Sequence, residues 1–335
     1  MKILLTGAQG FLGGRVLDFL LEKNYEVRAL TRRPAPEIEG RGVEVIQADL
    51  LDLQALDKAA QGVDGVIHCA AKSGVWGRLD EYIQANTLTT ANILTAARRQ
   101  GANWFVHTSS PSVAHTGRPL NGVDESAPYT GHTSLPYPYS KMLAEKLVLA
   151  ASEPSFRTVA LRPHLIWGPG DPHFLPRLKE RAAAGRLMLL KSEALVDGVY
   201  IDNAAEVHLL AAEKLNAGAD IGGRAYFISQ GEPLTAADLI LKILQAVSPD
   251  GGPVRPRGYL PPWLGLAAGT LLETIWRAFK IESEPPLTRF VAEELCLPHW
   301  FRLDKARADL GYGPRLSLAQ GLEALRAKGA PRTCS

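Results

Sequence analysis

The sequence has few cysteines and no pattern of metal ligands. Its 335 residues include three cysteines, Cys69, Cys296 and Cys334, an odd number without the paired spacing of a zinc site or a disulfide framework. The eight histidines are scattered, and no two of them have the spacing of helical metal ligands. We therefore expect no metal, and unpaired thiols are typical of the reducing cytoplasm.

Strong charge and long apolar runs are also missing. A net charge of +2 provides no basic field, so a nucleic-acid partner is not expected. The first apolar run is too short for a signal peptide, which favours a cytoplasmic protein. A chain of 335 residues that is 46% hydrophobic can bury a large core and form about two domains.

The pattern that carries function begins at the N-terminus. The apolar segment Lys2–Thr6 is followed at once by glycines 7, 10 and 13, and residues 11–22 then place apolar side chains at helical spacing. A buried strand, a glycine turn and a helix N-terminus form an anion site, because glycine lets the backbone approach a pyrophosphate and free N–H groups face it. We predict a dinucleotide cradle here, although G-x-x-G-x-x-G departs from the usual G-x-G-x-x-G.

The end of the second predicted strand bears on the choice of dinucleotide. Residues 26–31 run into Arg32 and Arg33, where an NAD enzyme commonly places an acidic residue and an NADP enzyme an arginine for the 2′-phosphate. NADP(H) is therefore the preferred cofactor and NAD(H) stays open, since two arginines can also simply solvate a loop. Residues 45–50 and 65–71 predict further strands, so the pattern indicates an α/β fold with right-handed βαβ units in a doubly wound parallel sheet.

Tyr137 and Lys141 lie four residues apart at the start of a predicted helix and therefore share one face. A free phenol has a pKa of about 10, but a positive charge about 4 Å away contributes about 4 kcal/mol at an effective dielectric of about 20, enough to lower that pKa toward neutrality. An apolar strand, residues 104–108, delivers Ser110 to the sheet edge where such folds bind ligands. Ser110 is the expected partner of a substrate carbonyl, with local capping as its alternative.

Together these motifs resemble the extended short-chain dehydrogenase/reductase superfamily over nearly the whole chain. The resemblance implies that Lys141 also holds the nicotinamide ribose and that the protein is a homodimer. The predicted cofactor-binding residues are Gly7, Gly10, Phe11, Gly13, Arg32, Arg33, Asp49, Leu50, Ala70, Ala71, Tyr137, Lys141 and Pro163. Trp76, His164 and Trp167 are candidate substrate residues, with a purely structural role as the alternative.

Longer sequence segments resemble one branch of this superfamily. Residues 160–171 (ALRPHLIWGPGD) and 223–229 (GRAYFIS) are similar to the branch of 3β-hydroxysteroid and sterol-4-carboxylate dehydrogenases. Within that branch, residues 70–77 (AAKSGVWG), 200–203 (YIDN) and 284–290 (EPPLTRF) are similar to the bacterial 2-alkyl-3-oxoalkanoate reductases of olefin biosynthesis. The resemblance implies NADPH-dependent reduction of a long-chain 2-alkyl-3-oxo acid, with Ser110, Tyr137 and Lys141 as the catalytic set.

Several alternatives remain. An NAD-dependent 3β-hydroxysteroid or sterol-4-carboxylate 3-dehydrogenase would use the same catalytic residues, because a 4-carboxysterol is also an α-branched β-hydroxy acid. A nucleotide-sugar epimerase also stays open, whereas Pro111 and Ser112 occupy the positions where dehydratases of this superfamily need acidic residues. A sensor without enzymatic activity would not need an intact catalytic set.

Residues 259–280 form an apolar, partly basic segment with helical periodicity. It is too short and too charged to span a bilayer, so a pocket lid, a peripheral membrane contact and a core helix remain as interpretations. We expect residues 1–167 and 198–232 to form the Rossmann domain, and residues 168–197 and 233–327 a smaller, mostly helical substrate lobe. The tail, residues 328–335, is expected to be disordered.

Overall fold

A computed structural model describes residues 1–172, 174–248 and 252–329. The strands are β1 (Lys2–Thr6), β2 (Glu26–Thr31), β3 (Glu44–Gln47), β4 (Gly65–His68), β5 (Trp104–Thr108), β6 (Leu120–Val123), β7 (Arg157–Pro163), β8 (Ile166–Trp167), β9 (Met188–Leu190), β10 (Leu195–Val196), β11 (Val199–Tyr200), β12 (Arg224–Ile228), β13 (Leu234–Thr235), β14 (Gly258–Leu260) and β15 (His299–Phe301). The α-helices are α1 (Phe11–Glu22), α2 (Pro36–Glu39), α3 (Leu53–Ala60), α4 (Leu79–Tyr82), α5 (Thr89–Arg99), α6 (Pro136–Ala150), α7 (Phe174–Ala183), α8 (Ile201–Asn216), α9 (Ala236–Val247), α10 (Pro262–Ala278), α11 (Arg289–Cys296), α12 (Asp304–Leu310) and α13 (Leu318–Gly329).

Seven parallel strands form the central sheet in the order β12-β7-β5-β4-β1-β2-β3. β1 is an interior strand of this sheet, and its apolar residues Ile3, Leu4 and Leu5 are fully buried because both faces of the strand are covered. Leu5 pairs with Ala29 of β2 and with Ile67 of β4. The strand order reverses between β1 and β4, and such a switch point opens a crevice at the carboxyl ends of the strands. The predicted Rossmann fold with a doubly wound parallel sheet is confirmed.

Helices cover both faces of this sheet. On one face, α1 and α8 pack together and bury Val16, Leu20 and Val207 against the strands. On the other face, α3, α5 and α6 bury Leu56 and Ile93. Each fully buried Leu or Ile side chain contributes about 1.5–3 kcal/mol, so these two layers fix the sheet and hence the positions of the loops at its edge.

Smaller sheets belong to the remaining part of the chain. A four-stranded sheet has the order β13-β10-β15-β6, and two-stranded ribbons join β11 to β8 and β14 to β9. β12 pairs with β7 and so belongs to the central sheet. β11 pairs only with β8, because the chain begins α8 at Ile201. β6 pairs with β15, so a segment between the catalytic residues is joined to the predicted substrate lobe.

The C-terminal segment differs in part from the prediction of a disordered tail. α13 extends to Gly329, two residues into the segment that was expected to be disordered. Residues 330–335, the rest of that tail, lie outside the described residues. The domain boundaries drawn from the sequence stay a prediction.

The large apolar side chains of α10 are exposed, although the apolar periodicity of this helix is typical of a buried face. Its buried positions are Gly265, which packs against the Leu190 side chain of β9, and Gly269, which packs against the backbone of Thr288 and Arg289 at the start of α11. Trp263 is 68% exposed and Leu271 is 60% exposed, and Phe279 at the end of the helix is 75% exposed. Interpretation as an ordinary core helix is therefore wrong for this apolar face. Over the described residues, α10 included, the helices are too short or too polar to cross a bilayer.

Candidate active site

Two elements bring the predicted catalytic residues together at the carboxyl edge of the sheet. Ser110 follows β5 and begins a short 3-10 turn, Pro111–Ala114. Tyr137 and Lys141 lie on the first two turns of α6, which starts with a proline at its first position. The Tyr137 hydroxyl is hydrogen-bonded to Ser110. Tyr137 is half-buried and opens toward the crevice, whereas Lys141 is 2% exposed.

The Ser110 hydroxyl has local partners as well. Its Oγ lies 2.9 Å from the Oγ of Ser112 and accepts a hydrogen bond from the backbone N–H of Ser112 at 3.3 Å. Ser110 therefore caps the 3-10 turn and contacts Tyr137 at the same time. The cap fixes the hydroxyl oxygen, and its hydrogen can rotate toward a ligand oxygen.

Residues at the end of β5 hold the Lys141 side chain. Its Nζ donates a hydrogen bond to the carbonyl oxygen of Thr108 at 2.5 Å and lies 3.5 Å from Nε2 of His107. Burial lowers the pKa of Lys141 to about 8, although the charge of Glu145 acts in the opposite direction. Lys141 therefore keeps most of its positive charge at neutral pH and loses it in mildly basic solution.

A layer of neutral imidazoles lies beside Lys141. His107 stacks on His68 with ring centroids 5.6 Å apart. Burial, with a further contribution from the Lys141 charge, lowers the pKa of His68 to about 3 and holds the pKa of His107 well below its ordinary value. Both rings are uncharged at neutral pH, so the positive charge of this layer resides on Lys141.

The pKa of Tyr137 does not follow the sequence prediction. Burial raises it above the ordinary value for a phenol, and the hydrogen bond with Ser110 opposes that rise. The ammonium of Lys141 is directed at the Thr108 carbonyl, and the lowering that was expected from Lys141 does not appear among the causes of the shift. In this arrangement, the tyrosine is a protonated acid at neutral pH.

Asn86 is a site residue that sequence reasoning missed. It lies in a π-helical segment, Ile83–Leu88, and is 1% exposed. Its side-chain amide donates hydrogen bonds to the Lys72 carbonyl at 3.1 Å and to the Ser140 hydroxyl at 3.0 Å, and its carbonyl oxygen accepts from the Lys72 N–H. Asn86 thus joins the loop after β4 to the catalytic helix. A π-helical turn often marks a functional site, but no sequence signal distinguishes it from an ordinary helix.

The loop after β4 forms one wall of the site. The buried ring of Tyr82 packs edge to face on Tyr137 with centroids 6.4 Å apart. The hydroxyl of Tyr82 donates to the backbone carbonyl of Trp76, and the Trp76 indole N–H donates to the carbonyl of Ile281 at 3.3 Å. Trp76, one of the candidate substrate residues, therefore connects the catalytic wall to the end of α10.

The glycine turn has the shape of a dinucleotide cradle. Gly7 adopts a positive φ of 77°, and a Cβ there would lie 2.7 Å from the backbone nitrogen of Ala70. A Cβ on Gly13 would lie 2.1 Å from the carbonyl oxygen of Gly7. Gly10 caps α1 without a side-chain hydrogen bond, which leaves N–H groups of the first turn free to bind a phosphate. The residues present therefore fit a dinucleotide, whose pyrophosphate Gly7, Gly10, Phe11 and Gly13 would hold.

The other predicted cofactor residues lie at the same edge of the sheet. Arg32 and Arg33 are exposed beyond β2, and neither has an ion-pair partner within the described part of the chain. Asp49 and Leu50 follow β3, Ala70 and Ala71 follow β4, and Pro163 ends β7. A cleft of about 450 Å³ opens beside the glycine turn and reaches the start of α8.

A second cavity is lined by residues that are neighbours in the sequence of the Ser110 turn and of α6. It has a volume of about 360 Å³, in the range of small-molecule sites. Its walls are residues 115–117, just after the Ser110 turn, residues 132–135, just before α6, and parts of α10 and α11. Arg277 and Arg289 supply cationic groups to this cavity, and two lining carboxylates pair with them, Glu273 with Arg277 at 3.8 Å and Glu293 with Arg289 at 2.8 Å. Leu135 and Phe290 supply apolar surface.

The other two candidate substrate residues lie in the interior. His164 is 4% exposed, and its Nδ1 donates to the carbonyl oxygen of Asp197 at 2.8 Å. Trp167 is 2% exposed and packs edge to face on Tyr200 in a cluster with α9 and α13. Contact of either side chain with a substrate stays a prediction.

Comparison with known proteins agrees with the fold and with the family resemblance of the sequence. The sequence profile of the 3-beta hydroxysteroid dehydrogenase/isomerase family matches residues 4–252. The 2-alkyl-3-oxoalkanoate reductase of Stenotrophomonas maltophilia is 45% identical over 98% of this chain and 100% of its own. A Mycobacterium tuberculosis 3 beta-hydroxysteroid dehydrogenase/Delta 5→4-isomerase is 33% identical over 96% of this chain and 88% of its own.

The solved structure of UDP-glucuronic acid 4-epimerase from Bacillus cereus in complex with NAD covers 98% of both chains with a TM-score of 0.73 and 25% identity. This fold and these relatives define an NAD(P)-dependent oxidoreductase of the extended short-chain dehydrogenase/reductase type. The chain belongs to the 3-beta hydroxysteroid dehydrogenase/isomerase family, which confirms the resemblance found in the sequence.

Proposed function

We propose that this protein reduces a long-chain 2-alkyl-3-oxo acid to the 2-alkyl-3-hydroxy acid with NADPH. The observation that carries the proposal is the hydrogen-bonded pair of Ser110 and Tyr137 above the buried Lys141. It occurs in a chain whose 45% identity to a 2-alkyl-3-oxoalkanoate reductase extends from end to end. The residues that surround the site support the choice of NADPH and the assignment of the substrate carboxylate.

The catalytic residues divide the reaction between them. Bound NADPH supplies the hydride. The Ser110 hydroxyl donates a hydrogen bond to the substrate carbonyl oxygen, and Tyr137, protonated at neutral pH, gives that oxygen its proton. Lys141 would bind the nicotinamide ribose.

The preference for NADPH rests on Arg32 and Arg33. Both guanidinium groups are exposed at the end of β2, where the adenosine ribose of a dinucleotide lies in Rossmann folds. Arginine binds phosphate through paired, charge-assisted hydrogen bonds. An arginine that no carboxylate neutralises is suited to a 2′-phosphate.

The cavity next to the catalytic turn fits an acid with an apolar chain. Arg277 bonds the Ser134 carbonyl through one Nη atom, and Arg289 bonds Glu293 through its Nε, which leaves other guanidinium N–H groups of both residues for a carboxylate. Leu135 and Phe290 line the same cavity and fit alkyl groups. We assign the substrate carboxylate to Arg277 and Arg289.

Three alternatives are weaker. A sterol dehydrogenase that works with NAD has a relative in its favour, but it gives Arg32 and Arg33 no role. A nucleotide-sugar epimerase would place a diphosphate in a cavity that is partly walled by Leu135 and Phe290. A sensor without activity has no need of the three catalytic side chains.

The exposed face of α10 supports a further part of the proposal, contact with a lipid surface that delivers the substrate. Trp263, Leu271 and Phe279 present apolar side chains, and the exposed Lys280 suits anionic headgroups. The homodimer implied by the family resemblance stays a prediction, which light scattering on the purified protein tests.

The proposal is tested by the rate of NADP⁺ reduction with a long-chain 2-alkyl-3-hydroxy acid. The reverse direction is used because the 3-oxo acid decarboxylates readily. We expect turnover with this acid and NADP⁺, and much slower turnover with NAD⁺. Turnover only of a 3β-hydroxysterol with NAD⁺ would contradict the proposal and favour the sterol dehydrogenase.

A further inference from the structure

A second cluster of ionisable side chains lies outside the catalytic site. His164 follows the end of β7, Glu294 lies on α11, and His299 begins β15. We call these three residues the His-Glu-His cluster. Both histidines are 4% exposed, and the Glu294 side chain is 22% exposed. The three residues come from separate elements, so their spacing in the sequence does not predict a common site.

Backbone carbonyl groups fix the orientation of both imidazoles. Nδ1 of His164 lies 2.8 Å from the carbonyl oxygen of Asp197, and Nδ1 of His299 lies 2.7 Å from that of Leu297. A carbonyl oxygen only accepts, so each Nδ1 carries the hydrogen. Nε2 of each ring faces the cluster and makes no hydrogen bond of good geometry with the described residues. Although burial opposes it, the charge of Glu294 raises the pKa of His299, so a metal ion at this site would displace a proton from Nε2 of that ring.

The two free nitrogens converge on one carboxylate oxygen. Oε2 of Glu294 lies 3.9 Å from Nε2 of His164 and 3.2 Å from Nε2 of His299. The three atoms all lie within 4.8 Å of one another. Two ligand atoms that are each about 2.1 Å from a tetrahedral metal ion lie about 3.4 Å apart, so shifts of about 1 Å would bring all three to an ion.

The outer atoms of the cluster are arranged as they are around metal ligands. Oε1 of Glu294 accepts a hydrogen bond from Nδ1 of His115 at 3.1 Å. Each member therefore has its far atom held by a hydrogen bond while its near atom points into the cluster. Metal-binding histidines and carboxylates are oriented in this way in proteins.

We propose that His164, Glu294 and His299 bind a Zn²⁺ ion. Two imidazole nitrogens and a carboxylate oxygen are a set of three zinc ligands that leaves the fourth tetrahedral position to water. The positive ion would compensate the charge of the Glu294 carboxylate in place of a proton. It would also fasten the end of β7, in the central sheet, to α11 and β15.

Metal analysis of the full-length protein without an affinity tag tests this site. The protein is treated with a chelator, titrated with Zn²⁺ and passed through a desalting column. We expect one zinc per chain and a rise in Tm of about 5 °C at saturation. Co²⁺ in place of zinc should give visible absorption bands, a readout that does not depend on activity or on the proposed substrate.

Variants locate the ion. Glu294→Gln and His299→Leu should lose the bound zinc and the cobalt bands, whereas His132→Gln, which changes an exposed histidine outside the cluster, should retain both. A parent protein that binds no zinc would overturn the proposal and leave the cluster as a protonated network. Zinc that persists in both cluster variants would place the ion elsewhere and would overturn it as well. The titration of the parent protein decides the question even where a variant does not fold.

Discussion

The ammonium group of Lys141 donates a hydrogen bond to the carbonyl oxygen of Thr108 at 2.5 Å. This bond joins the second turn of α6 to the end of β5, two residues before Ser110. A hydrogen bond from a charged donor contributes about 1.5–3 kcal/mol, and it opposes the cost of burying the ammonium. Lys141, which supplies the positive charge of the site, thus holds the helix that carries Tyr137 against the strand that precedes Ser110.

Lys141→Met should abolish turnover and stabilise the protein. The pKa of about 8 means that the folded state disfavours the charged lysine, so removal of the charge should raise the free energy of unfolding by about 1 kcal/mol at pH 7 after the lost hydrogen bond is deducted. Urea unfolding of both proteins measures the difference. A variant that is less stable than the parent at pH 7 would contradict this account of Lys141.

The same shift predicts a pH dependence. Between the folded pKa of about 8 and the ordinary value of 10.5, the unfolded chain binds more protons at Lys141 than the folded chain does. The contribution of Lys141 to stability therefore becomes less unfavourable as the pH rises through this window, and it is constant below it. The stability gained by Lys141→Met should shrink from pH 8 to pH 10.5. An equal gain at both ends of the window would refute the assignment.

Glu145→Gln should destabilise the fold. Glu145 is fully buried and accepts hydrogen bonds from Arg162 at 2.6 Å and from Tyr129 at 2.7 Å. Loss of one partner of a buried ion pair leaves the other charge uncompensated, at a cost of about 3–5 kcal/mol. Glu153→Gln, which breaks the exposed ion pair with Arg98, is the matched control and should cost less than about 1 kcal/mol. Thermal unfolding should separate the two variants; equal Tm values would show that burial of the pair has no such effect.

Arg32→Ala and Arg33→Ala test the assignment of NADPH. Loss of a charge-assisted contact to the 2′-phosphate should weaken NADP⁺ binding about 10- to 100-fold for the arginine that makes it. The Kd for NAD⁺, which lacks that phosphate, should stay nearly unchanged and serves as the internal control. Equal Kd values for NADP⁺ in the parent and both variants would mean that the arginines only solvate the loop.

Trp263→Ser tests lipid contact through α10. The variant should sediment less with vesicles that contain anionic lipid, because the indole is 68% exposed on the apolar face of the helix. Leu53→Ser removes another large exposed side chain, on α3 of the Rossmann fold, and should not change sedimentation. If the parent protein itself does not sediment, the exposed face does not bind lipid.

The central fold could be predicted because each of its segments carries its own signal. Lys2–Thr6, the three glycines and the helix that follows define the first βα unit, and recurrence of that pattern defines a parallel sheet. The apolar periodicity of α10 indicated the wrong packing face, because the helix packs through Gly265 on Leu190 and through Gly269 on the start of α11, and its larger side chains are exposed. Hydrophobic periodicity identifies a helix but not the face that packs when small residues form the contact.

The site could be predicted only where spacing carries the information. Tyr137 and Lys141 are neighbours on one helix, so their contact face follows from the sequence. The hydrogen bond of Asn86 with Ser140 spans 54 residues, and the His-Glu-His cluster joins three elements. The direction of the Tyr137 pKa depends on burial and on where the Lys141 ammonium points, and neither is visible in a spacing.

The most direct test of the account is the rate of NADP⁺ reduction by Tyr137→Phe with a long-chain 2-alkyl-3-hydroxy acid. Tyr139→Phe, the same change two residues along the same helix, is the control. We predict that Tyr137→Phe lowers kcat about 10²- to 10⁴-fold while NADP⁺ binds nearly as before, and that Tyr139→Phe turns over at close to the parent rate. Turnover of Tyr137→Phe at the parent rate would contradict the role of Tyr137 as the catalytic acid.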